Sequence, residues 1–182
     1  MIQLKDFASR FMAVHKEIGC SVYDFVFRDE ANVPLDIPKP KLHLIEIVGT
    51  TNAGCVVIRC RQSSTRKPFV WIDSEGSPLC AFAKNEVDFI QLFNYSSGFW
   101  YKVMTAIQRS IHRPQFIPGA TENFGLSEED ISKANLLKTK CGQELQSVFD
   151  FDSRNSDPIK IIYDAILDFN FLDWLYSDTN KH

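Results

Sequence analysis

The sequence predicts an α+β fold: an antiparallel sheet of about four strands packed with helices, followed by a helical C-terminal region. Three patterns carry that reading. An amphipathic segment opens the chain, short apolar runs separated by turn signals fill residues 42–82, and the apolar period then changes from 2 to 3.6. One domain over residues 1–182 fits the length, with an α+β core over 1–112 and a helical extension over 113–182.

From Ile2 to Gly19, Leu4, Phe7, Phe11, Val14 and Ile18 fall on one helical face, and Gly19 supplies a stop. Phe25 and Phe27 mark a short extended piece. Asp36-Ile37-Pro38-Lys39-Pro40 is expected to be extended, because each proline lacks a donor and restricts its predecessor. Strands are expected at Leu42–Val48, Cys55–Arg61, Phe69–Ile72 and Pro78–Phe82, with Asp73-Ser74-Glu75-Gly76 as a tight turn. Arg59, Arg61, Arg66 and Lys67 are read as the wet face and loop of that sheet. Asn85 caps a helix whose Val87, Phe89, Ile90, Leu92 and Phe93 are mostly buried. A second helix after Gly98 carries Trp100, Val103, Met104, Ile107 and Ile111 on one face, and His112-Arg113-Pro114 ends it. A loop over 114–125 leads to a helix start at Ser127-Glu128-Glu129-Asp130. Asp157-Pro158 starts another, followed by the strongly apolar run Ile161, Ile162, Ala165, Ile166, Phe169, Leu172 and Trp174.

Composition narrows the function. The chain has 20 Lys plus Arg against 23 Asp plus Glu, a formal charge of -3, which argues against a general nucleic-acid binder. The early charges Lys5 and Asp6 do not fit a secretory signal, and no run of 18 apolar residues suggests a membrane span, so a cytoplasmic protein is expected. The five cysteines, Cys20, Cys55, Cys60, Cys80 and Cys141, form no C-x-x-C pair and are expected to be buried thiols. Cys55 and Cys60 lie an odd number of residues apart in one strand, so they should point to opposite faces.

No familiar catalytic spacing is present: no G-x-S-x-G, no H-E-x-x-H and no Walker loop. Gly49-Thr50-Thr51-Asn52-Ala53-Gly54 leads into a strand instead of a helix, so it reads as a plain loop. His15, His43, His112 and His182 are scattered, without metal-ligand spacing, so no metal and no cofactor are expected. The carboxylate pairs Asp73 with Glu75 and Glu86 with Asp88 sit at turn and first-turn positions, which are usually wet. No enzyme is predicted.

The stretch Trp71-Ile72-Asp73, the Glu75-Gly76 turn, and the opening Ala83-Lys84-Asn85-Glu86-Val87-Asp88-Phe89-Ile90 resemble the second half of the SMI1/KNR4-like (SUKH) superfamily, with its A-x-[NS]-x-x-[DE]-F-[LI] pattern. The likeness spans residues 36–95, about a third of the chain. It implies helices against one twisted antiparallel sheet, and a bacterial immunity protein that binds and neutralises a cognate toxin. The acidic C-terminal third, seven acids against three bases from Val148 to His182, would complement a basic partner. Candidate partner-binding residues are Asp73 and Glu75 on the hairpin, Trp100 and Tyr101, and Asp168 and Asp173 on the last helix. The alternatives are a regulatory or scaffold module, or a small enzyme using Cys80 with a distant histidine.

Overall fold

The computed structural model describes residues 4–18, 25–75, 79–93, 95, 97–110, 127–129, 132 and 157–177. Its element order is α1 (Leu4–Ile18), β1 (Phe25–Phe27), α2 (Lys39–Leu42), β2 (Ile45–Thr51), β3 (Val56–Cys60), β4 (Phe69–Ile72), β5 (Leu79–Ala83), α3 (Glu86–Leu92), α4 (Ser97–Ser110), α5 (Pro158–Asp168) and α6 (Phe171–Tyr176). The expectations for the 114–125 loop, for Cys20 and Cys141, and for the side chains of His15, His112 and His182 lie outside the described residues.

The α+β class is as expected, with five strands instead of about four. All five are antiparallel and lie in sequence order, β1-β2-β3-β4-β5. The added strand is β1, the extended piece at Phe25–Phe27, which pairs Phe25 with Thr51 and Phe27 with Gly49. Three residues make a weak strand alone, and β2 supplies the ladder that keeps it extended. Between Ile47 and Gly49 the β2–β3 register shifts, which bends β2 where β1 joins it.

The expected extended run at residues 36–40 is partly overturned. Lys39 and Pro40 open the one-turn helix α2, with Pro38 as its N-cap. A proline in the first helical turn gives up a donor that no intrahelical carbonyl would use, so helix and prolines coexist there. Because α2 takes residues 39–42, β2 begins at Ile45 and not at Leu42. The Lys41 ammonium donates to Ser177 Oγ at 3.1 Å and lies 4.8 Å above the Trp174 ring, which ties α2 to α6.

Both faces of the sheet are buried. Cys55, Val57, Phe69, Trp71, Cys80 and Phe82 face one way, against Phe7 and Phe11 of α1, Phe89 and Phe93 at α3, and Trp100 and Met104 of α4. Val56, Ile58, Cys60, Val70, Ile72 and Ala81 face the other, under Phe169, Phe171 and Leu175 and the segment carrying Val33, Leu35 and Ile37. That double burial explains why β3 and β4 read as near-continuous apolar runs and not as an alternation. Cys55 and Cys60 sit on opposite faces as their spacing predicts, and Cys55, Cys60 and Cys80 are buried free thiols.

The helix α5 joins the two cores. It packs along β5, the terminal strand of the sheet. Ile159 and Ile162 belong to the first core, while Ala165 and Phe169 belong to the second. Residues 158–175 therefore complete the sheet's packing.

Candidate functional site

Two concave surfaces of more than 400 Å³ on the described residues differ in their electrostatics. The first, about 430 Å³, lies beside α1 and is lined in part by Leu4, Phe27, Glu46 and Arg59. Two of its carboxylates are paired: Arg59 donates from Nε to Glu46 at 3.0 Å and from Nη1 to Glu86. Arg59 is thus half-buried between two carboxylates, unlike the exposed Arg61 and Arg66 with which it was grouped as wet surface.

The second surface, about 470 Å³, lies where the β2–β3 turn, the end of β4 and the first turn of α4 meet. The β2–β3 turn closes through a Gly54 N–H bond to the Thr51 carbonyl at 3.0 Å, and Gly54 takes a φ of 81°. Glycine suits that left-handed position, since a Cβ would be strained there. Thr51 Oγ1 accepts from the Cys55 N–H at 3.2 Å, which sets Cys55 against the end of β4. There Asp73 Oδ1 accepts from the Cys55 thiol at 3.5 Å, from Ser74 Oγ at 3.3 Å and from the Glu75 N–H at 3.4 Å. An aspartate bonding to the backbone two residues on shapes a tight turn, so Asp73 organises the chain at residues 73–75, where β4 ends. From α4, Ser97, Tyr101 and Lys102 complete the wall.

Asp73 is only 7% exposed, so the expected wet turn carboxylate is in fact buried. Neither Asp73 nor Glu75 has an ion-pair partner among the described residues. Trp71 also lines this cleft, is 2% exposed, and its indole Nε1 finds no hydrogen-bond acceptor. Buried polar groups are nearly always bonded, as Asp73 Oδ1 is, so the buried Trp71 N–H without an acceptor is the exception here. Burial pushes the Cys55 thiol above its ordinary value, with the Asp73 charge adding to the rise. It therefore stays a neutral donor to Asp73 at neutral pH.

Three of the six residues singled out from sequence meet here: Asp73, Glu75 and the half-exposed Tyr101. The other three do not. Trp100 is 1% exposed and donates from Nε1 to the Leu92 carbonyl at 2.8 Å, so it belongs to the core and is closed to a partner. It does stand edge-on behind Trp71, with ring centroids 6.4 Å apart. Asp168 is at the end of α5, where Arg66 Nη2 donates to both of its oxygens at 2.7 and 2.9 Å. Asp173 lies in α6 and accepts from the Asn170 amide at 2.7 Å. Asp168 and Asp173 thus stand apart from the cleft, and Asp164 and Asp168 have cations of their own.

No family model, curated protein or solved structure matches the chain. Among the described residues no His/Cys/Asp/Glu cluster could hold a metal ion, and no helix is long and apolar enough to cross a membrane. Burial pushes the Cys80 thiol up to about 12, so Cys80 is protonated at neutral pH, unlike a catalytic nucleophile. Sequence reading missed Trp71 and Cys55 as cleft residues. Both lie in apolar runs, and only the fold shows that they line a concave surface.

Proposed function

We propose that this protein is a cytoplasmic immunity protein of the SMI1/KNR4-like type, which binds a cognate toxin and blocks it. The observation that carries this reading is the convergence of Asp73, Glu75 and Tyr101 at one cleft, next to the hairpin where the resemblance is concentrated. A binding protein of this kind needs a rigid scaffold and a charged, aromatic surface. The doubly buried sheet supports the first requirement and the cleft supports the second. Carboxylates lacking a cationic partner among the described residues favour a basic partner and fast association.

The test is a growth assay in a heterologous bacterium. The product of the adjacent gene is expressed with and without this chain. Rescue of growth, with a stoichiometric complex on a sizing column, is the expected result. A toxic neighbour that the chain neither binds nor neutralises would overturn the pairing.

A further inference from the structure

We draw no further inference here: the strongest candidate, the groove between α1 and the end of β1 lined in part by Leu4, Ala8, Phe27 and Ile47, carries none, because nothing in the structure shows what covers it.

Discussion

Gly49 shows how closely one residue can be constrained. It lies at the irregular point of β2, opposite Phe27, and a Cβ there would collide with the Phe25 ring and the Val26 carbonyl. The backbone oxygen cannot swing aside as a side chain could. Gly49→Ala should therefore cost about 1–3 kcal/mol of stability, read as a lower urea midpoint. Cys80 gives a prediction in pH. Its folded value is about 12 against an ordinary 9.0, so the folded state keeps the proton that the unfolded chain loses. That contribution is fully present below pH 9 and is lost as pH rises from 9 to 12. Cys80→Ala should flatten the decline of stability across that window, measured by urea titrations at stepped pH.

Two helix starts are built by single side chains. Asn85 Oδ1 accepts from the Asp88 N–H at 2.9 Å at the head of α3. Asp157 Oδ1 accepts from the Ile159 and Lys160 N–H groups at 3.0 and 3.1 Å at the head of α5, with Pro158 in the first turn. Each cap satisfies donors that the helix itself leaves open. Asp157→Ala should cost about 1 kcal/mol, and hydrogen exchange should quicken first in α5. The Arg66–Asp168 pair lies at the other end of that helix, with both partners solvent-exposed. Asp168→Asn should change stability by less than about 1 kcal/mol, since such pairs contribute little.

At the scale of the whole molecule, the C-terminal helices decide whether the sheet is covered. Val56, Ile58, Cys60, Val70, Ile72 and Ala81 form an apolar face, and α5 and α6 supply Ala165, Phe169, Phe171 and Leu175 against it. A chain ending at residue 156 would bare that face and leave β5 without its packing helix. It should bind a hydrophobic dye strongly and lose its cooperative unfolding transition. A truncated chain that stays monomeric, dye-free and cooperative would contradict the two-core arrangement.

Much of this architecture was legible along the chain, because periodicity and caps are local. Leu4, Phe7 and Phe11 mark the buried face of α1, Asn85 and Asp157 mark helix starts, and β4 occupies the expected Phe69–Ile72. Trp100, singled out as a partner contact, shares a helical face with Val103, Met104 and Ile107, and that face is the core. Other features depend on partners distant in sequence. β1 is a strand because β2 pairs with it, and α2 is tied down because Lys41 reaches Trp174 and Ser177. The apolar run after Pro158 predicts a buried helix, yet not that one helix would serve both faces of a sheet. The cleft is the clearest case. The sequence by itself determined a carboxylate-bearing turn after β4 and an apolar helix at α4. Only the tertiary structure decided that Asp73 would be buried beside Cys55 and that Trp71 would lack an acceptor. Local sequence sets what each segment prefers, while desolvation and hydrogen-bond satisfaction depend on what packs around it.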